Sequence, residues 1–405
     1  GRLADSLLQG NGWAFPQPWG GVHQSWMPPV YPLLLAGLGW LSVPHRYLAL
    51  QFLQAVLSAA MVLCVWLLGR RWFGRRTAWV GLVLAALYPP LAAKVAYVDP
   101  ITLEALLLVL GVLLVGHALD MPEPIHGSSC GPRPPAATPG RAASSAMPIA
   151  PAAAAGLVLG LAVLTRPVFL AFVLALAVVW LLCYPRRRRS GAVMLACALL
   201  TVAPWTLRNA MVHRAFVLVS TNGGFNFWIG NNPLATGHAY AADGQPLWMR
   251  MPDSLRQRLA AAGELEQQRL FYAEAFGFAQ QHPGRFVALS LRRLGWFWWF
   301  RPGAGEGQLT YPSPWVWGYH LCYGAVLALA PLGAWVARHQ WRRLLPVCLL
   351  FASLTAVYSV FFVHTRYRMV LEPFLLLLAG HALACGWRRL GLRRSRRVNA
   401  SPQTP

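Results

Sequence analysis

Acidic residues are scarce in this chain: twelve Asp and Glu stand against 35 Lys and Arg among 405 residues. Charged residues of either sign make up only 12%, about half the share of a soluble domain, whereas 57% of the sequence is hydrophobic. That composition excludes an ordinary soluble enzyme. It leaves an integral membrane protein, and because the apolar runs are continuous, one built of helices. The seven cysteines, Cys64, Cys130, Cys183, Cys197, Cys322, Cys348 and Cys385, form no CxxC and have no Cys/His metal spacing. Neither a disulfide framework nor a zinc site is therefore indicated. No Walker loop, Gly-x-Ser-x-Gly elbow or dinucleotide fingerprint stands in a fitting context, so no nucleotide site is visible. The histidines show no ligand spacing and read as structural.

The abundant feature is arginine, and it is clustered. Arg70-Arg71 with Arg75-Arg76, Arg186 to Arg189, Arg338 with Arg342-Arg343, and Arg388 to Arg397 each lie beside an apolar run. Lys and Arg collect in short cytoplasmic loops, which accounts for the net charge of +23 without nucleic acid. A common side for all four clusters demands an even number of crossings between them. Runs of about the required 20 residues fall at 47–69, 77–96, 100–118, 148–164, 167–184, 191–207, 314–337, 344–363 and 368–387. Four lie between the first two clusters, two between the next pair and two before the tail, so the parity holds. The stretches 29–45 and 286–300, the latter with Trp296, Phe297, Trp298 and Trp299, read as interfacial helices.

The expected fold class is thus an all-α polytopic membrane protein of about nine spans. Its parts are a first outer loop and interfacial helix over 1–46 and a bundle over 47–207 with a flexible Pro/Gly/Ser-rich inner linker at 119–147. An outer segment with an interfacial helix follows over 208–313, then further spans over 314–387 and a basic tail over 388–405. Starting at Gly1 inside an amphipathic pattern, the chain reads as truncated at its N-terminus, with about ten spans when intact.

This topology gathers the chemistry at the outer boundary. Asp99 and Glu104 open one span, and Glu372 lies near the outer end of the last. Ionisable groups at that depth are costly and usually face a cavity or a partner. Lys94, Arg166, Arg208, Arg366 and Arg368 fall at the same level. The arginine fork suits phosphate oxygens, and carboxylates suit proton transfer. Asp99 and Glu104 are therefore the candidate catalytic acids and the five cations the candidate phosphate ligands. The plainer reading is that Arg166 and Arg208 snorkel at span ends and that Glu104 serves a structural ion pair. The segment Thr221–Pro233 is dense in Asn, Gly and aromatics, so Asn222, Asn231 and Asn232, with Trp26 and Asn209, are candidate sugar contacts; a plain turn is the alternative. No cofactor is evident, and a divalent cation is left open.

Several segments together resemble the GT-C membrane glycosyltransferases, in the branch of the protein mannosyltransferase-like and lipid A aminoarabinose transferase-like enzymes. They are Leu3 to Gly12; Trp26-Met27-Pro28-Pro29-Val30-Tyr31-Pro32; Leu157 to Leu164 with Thr165-Arg166-Pro167; Ala203-Pro204-Trp205-Thr206-Leu207-Arg208-Asn209; Thr221 to Pro233; His282-Pro283; and Arg366-Tyr367-Arg368. The resemblance implies inverting transfer of a sugar from a polyprenyl-phosphate donor to a lipid, glycan or protein acceptor. It places the site on the periplasmic face of a bacterial inner membrane. Its usual base, an Asp shortly before the Leu-Ala-x-Ser-Leu-Leu stretch, would fall before Gly1; Asp5 lies after that point. Glu104 matches an acid of the family, and Arg166 and Arg208 match positions near the donor phosphate. Rival readings are a flippase or transporter of lipid-linked glycans and a non-catalytic assembly partner. Transporters often carry internal repeats of spans; none is visible, and the long outer segment favours an enzyme.

Overall fold

The computed structural model describes residues 2–41, 45–119, 149–299 and 313–398. The expected linker at 119–147 lies, but for its first residue, outside them, as does the end of the tail. The helices in chain order are α1 (Arg2–Leu8), α2 (Val30–Leu41), α3 (Arg46–Phe73), α4 (Arg75–Ala86), α5 (Pro89–Lys94) and α6 (Ile101–Ala118). Then come α7 (Ile149–Thr165), α8 (Phe169–Cys183), α9 (Arg188–His213), α10 (Gly223–Gly230), α11 (Asp253–Ala260) and α12 (Glu264–Gln281). The last are α13 (Pro283–Trp298), α14 (Ser313–Val336), α15 (Trp341–Val360), α16 (Thr365–Arg368) and α17 (Glu372–Val398).

The chain is an all-α polytopic membrane protein. Among the described residues six segments are long and apolar enough to cross a bilayer: Arg46–Phe73, Ile101–Ala118, Pro185–His213, Trp317–Val336, Arg338–Val360 and Thr365–Arg388. The expected spans 148–164 and 167–184 are the shorter apolar helices α7 and α8. The expected span 77–96 is corrected: it is two helices, α4 and α5. Pro89 and Pro90 cannot continue α4, and Tyr88 before them is forced to an extended backbone (ψ 106°). Twelve residues of α4 rise only about 18 Å, short of the roughly 30 Å hydrocarbon core. The break turns the chain between α4 and α6 and brings Tyr88, Lys94 and Asp99 into that turn.

Small residues bring backbones together. A Cβ on Gly156 of α7 would stand 2.2 Å from the Met194 carbonyl oxygen of α9, and one on Gly160 would stand 2.6 Å from Thr201 Cβ. Gly-x-x-x-Gly spacing of this kind lets helices approach where lipid offers no hydrophobic drive. Gly380 of α17 meets Gly81 of α4 in the same way.

Three of the arginine clusters share one end of the bundle. Arg343 Nη1 donates to the Trp72 carbonyl at 2.7 Å, and Arg71 reaches the Gly116 carbonyl at 3.4 Å. Arg342 lies within electrostatic reach of Tyr184, beside the Arg186 to Arg189 cluster.

At the opposite end the first loop and the segment after α9 form their own core of Trp19, Trp26, Phe227, Trp228, Phe271 and neighbours. A short hairpin, β1 (Phe15–Pro16) against β2 (Val22–His23), carries the first loop into it. Gly20 turns this hairpin at φ 105°, where a side chain would also meet Ala260 Cα at 3.3 Å. The stretch expected as an interfacial helix, α13, packs Leu289, Arg293 and Phe297 inward, at the one-turn spacing of a single helical face.

Candidate functional site

At the end of the bundle away from the arginine clusters, three ion pairs from separate segments converge inside the apolar bundle. Glu104, in the first turn of α6, has no exposed surface. Arg166, in the link after α7, grips it twice: Nε to Oε1 and Nη2 to Oε2, both at 3.0 Å. Arg166 Nη1 also donates to Tyr358 Oη at 3.2 Å, and the guanidinium lies 4.9 Å from the Tyr367 ring centroid. Tyr358 and Tyr367 stack on each other at 4.6 Å. Two of the arginine's five N–H groups thus make hydrogen bonds, while Nη2 adds an ion contact to Oε2, which has no hydrogen bond of its own.

Asp99 accepts the Ile101 backbone N–H at 2.9 Å through Oδ1, fixing the start of α6. Its other oxygen lies 3.5 Å from Lys94 Nζ. Its side chain keeps 10% of its surface exposed, and that of Glu104 none. Arg366 lies within electrostatic reach of Glu104.

Arg368 and Glu372 form the third pair, 3.7 Å apart. Arg368 is committed elsewhere: it donates to the Phe297 carbonyl at 3.2 Å, the Trp299 carbonyl at 2.9 Å and Tyr319 Oη, and lies 3.7 Å from the Tyr323 ring centroid. It is a pillar tying α13, α14 and α17. Both Glu372 oxygens lack hydrogen bonds, although the carboxylate faces Tyr88 Oη, which lacks one too. Gln54 Oε1, on the side chain that bonds the Val95 and Tyr97 carbonyls, is likewise unbonded, as is Tyr31 Oη near Asp99. Buried polar atoms without partners are rare in folded proteins. They concentrate around the three ion pairs, and together these groups form a polar chamber within the bundle.

Arg208 is not in that chamber. It donates to the Gln24 carbonyl at 2.8 Å, Ser25 Oγ at 3.0 Å and Asn209 Oδ1 at 3.1 Å, and its guanidinium lies 4.8 Å from the Trp205 ring centroid. Ser25 Oγ donates to Asn209 Oδ1 at 2.8 Å and so accepts from His213 Nε2, also at 2.8 Å. Glu264 completes the cluster by accepting the Gln24 and Ser25 backbone N–H groups and the Thr221 hydroxyl. The whole forms a clasp that holds the first loop on α9 and α12. Beside it, burial holds the pKa of His23 below its ordinary value, although Glu264 pulls the other way. Its Nε2 bonds Gln267 and its Nδ1 has no partner.

The asparagines serve the backbone. Asn231 Nδ2 donates to the Phe227 and Val360 carbonyls, each at 2.9 Å, and Asn232 Nδ2 donates to the Trp228 and Ile229 carbonyls. Asn209 Nδ2 donates to the carbonyls of Val217 and Val219. Asn222 accepts from Ser220 Oγ, and Trp26 is buried against Trp19 and Phe225. Arg293, fully buried, donates to the Gly230 and Phe361 carbonyls and to Asn231 Oδ1, and burial pulls its pKa down to about 10.

Tyr358, Tyr88 and Glu264 were not singled out from the sequence, and Tyr367 was noted only within the Arg366-Tyr367-Arg368 segment. Tyrosines and a Glu at helix ends carry no distinguishing pattern until the fold supplies their partners. Among the described residues no group of three or more His, Cys, Asp or Glu could hold a metal. Asp99 and Glu104 lie within electrostatic reach of each other, and each already faces a cation.

No family model and no curated protein sequence matches the chain. Solved structures do match. The Archaeoglobus fulgidus oligosaccharyltransferase in its apo form aligns at TM-score 0.57 with 15% identity, over 100% of this chain and 48% of that one. The archaeal enzyme AglB from the same organism, with an inhibitory peptide and a dolichol-phosphate, aligns at 0.54 with 14% identity, over 100% and 47%. ArnT from Cupriavidus metallidurans bound to undecaprenyl phosphate aligns at 0.40 with 14% identity, over 100% and 76%. The chain shares the membrane fold of this archaeal enzyme and spans about half its length.

Proposed function

We propose that the chain is an integral-membrane glycosyltransferase that moves a sugar from a polyprenyl-phosphate donor to an acceptor at the outer face of a bacterial inner membrane. One observation carries this reading: three ion pairs and several unbonded polar atoms converge at one level of an apolar bundle. A lipid-phosphate headgroup is the ligand class whose polar end would sit there while its chain stays in lipid. The dolichol-phosphate held by the archaeal relative supports that choice.

In the proposed reaction the acceptor hydroxyl attacks the anomeric carbon from the side opposite the phosphate. The carbon–oxygen bond to phosphate breaks, inverting the centre. Asp99 is the described acid best placed to take the hydroxyl proton, because Glu104 is locked in its pair. The N–H groups of Arg166 that are not hydrogen-bonded, with Lys94 and Arg366, stabilise the phosphate as its charge grows. Glu104 and Tyr358 aim Arg166, and Arg368 holds the helices around it. Arg208 acts through the clasp, and the asparagines shape the wall.

The test is a transfer assay on the protein reconstituted with a panel of polyprenyl-phosphate sugars. Asp99→Asn is expected to lower turnover by about 10² to 10⁴-fold, the range for a general base. Arg166→Lys is expected not to restore it, since a point charge replaces a fork. Unchanged turnover in both variants would sink the assignment of these residues. Absence of transfer from every donor by the wild-type protein would sink the reading itself.

A further inference from the structure

Away from the chamber, toward the arginine-rich end, α4 and α14 both pack on α17 and leave an apolar groove between them. Its walls are Val80 on one side and Leu329, Leu332 and Val336 on the other, and its floor includes Ala382, Leu383 and Gly386. Ala382 and Gly386 stand one turn apart, so the floor lacks bulk where the walls are large. The volume, about 530 Å³, falls within the roughly 300–1,000 Å³ of ligand sites. Two exposed tryptophans flank the mouth: Trp387 on the groove itself and Trp335 one residue before Val336. Arginines follow at once along the chain. Arg76 lies one turn before Val80 and is exposed, Arg338 follows Val336 by two residues and is exposed, and Arg388 follows Trp387.

We infer that this groove is a binding site for an anionic phospholipid of the leaflet on the arginine-rich side. An acyl chain fills the apolar floor, the tryptophans sit at the glycerol level where indole rings settle, and Arg76 and Arg338 hold the phosphate. Charge chooses the occupant. A purely apolar groove in a bilayer takes any chain, but one that opens directly under basic side chains selects lipids with a net negative head, because each such side chain favours anionic lipid by about fivefold. The inference does not depend on the proposed reaction, whose chamber is at the other end of the bundle.

The experiment measures lipid retained by the purified full chain in mixed detergent micelles, by native mass spectrometry, with phosphatidylglycerol and phosphatidylcholine supplied in equal amounts. The expected preference for phosphatidylglycerol is roughly 25-fold, from two arginines at about fivefold each. Arg76→Ala with Arg338→Ala is expected to abolish the preference while leaving total retention close to wild type. Gly386→Phe is expected to cut retention of both lipids. A Cβ at Gly386 meets nothing within 4 Å, so the ring enters the groove without disturbing the backbone, and an unchanged unfolding midpoint verifies this. Equal retention of the two lipids, or retention that Gly386→Phe leaves intact, overturns the proposal.

Discussion

Replacing Arg166 by Met leaves the carboxylate of Glu104 with no exposed surface and no cation in contact, since Arg166 supplies both contacts at 3.0 Å. Breaking a buried pair by removing one partner costs about 3–5 kcal/mol, because the survivor stays desolvated and uncompensated. The reverse change, Glu104→Gln, is milder. Arg166 keeps Tyr358, the Tyr367 ring face and 16% of its side-chain surface, and a neutral amide can still accept one hydrogen bond, so about 1–3 kcal/mol is expected. The double variant removes both charges and is expected to be less destabilised than the sum of the singles, with a coupling of at least about 1 kcal/mol, inside the 0.5–3 range of contacting residues. The assay is reversible unfolding in detergent, followed for all four proteins under one condition. Singles that add to within about 0.5 kcal/mol would refute the reasoning, for they would mean that the two groups do not sense each other. Turnover discriminates further: if Glu104 only aims Arg166, Glu104→Gln should lose far less activity than Arg166→Met.

Three further outcomes are expected. Because burial lowers the pKa of His23, the unfolded chain binds more protons than the folded one below the ordinary value of 6.5, so this residue's contribution is full above pH 6.5 and is lost as pH falls toward the folded value; His23→Gln should flatten that slope in unfolding midpoints, and an unaltered slope would remove His23 as its source. Gly230→Ala should destabilise by more than about 3 kcal/mol or prevent folding, since its Cβ would stand 1.7 Å from the Phe361 carbonyl oxygen and 2.5 Å from Arg293 Nη1; a fully stable variant would contradict the packing of α10 on the end of α15. Single cysteines at the exposed positions Ala242 and Arg189, in a background without native cysteines, should react with an impermeant reagent from opposite sides of the membrane, and labelling from one side would overturn the topology.

Hydropathy and charge made the membrane architecture legible in the sequence, because both act residue by residue against a fixed solvent slab. The apolar runs marked the helices, and parity assigned the arginine clusters to one end, where Arg343 meets Trp72 and Arg71 meets Gly116. The same logic placed Asp99, Glu104, Arg166, Arg366 and Arg368 at one level. It failed at 77–96, where the mean apolar character hid the helix-ending effect of Pro89-Pro90. Tertiary structure alone decided which of those charges are committed. Arg208 and Arg368 carry the same side chain as Arg166, yet one holds the Ser25 clasp and the other three helix ends. Asn231 and Asn232 look like sugar ligands by composition but spend their amides on nearby carbonyls. A hydrogen-bonding group is defined by its partners, and those of Arg208 and Arg368 in the first loop, α13 and α14 lie dozens to hundreds of residues away, whereas the two asparagines mostly bond carbonyls within one helical turn. Sequence fixes the depth at which a group sits, and only the folded bundle fixes what it faces.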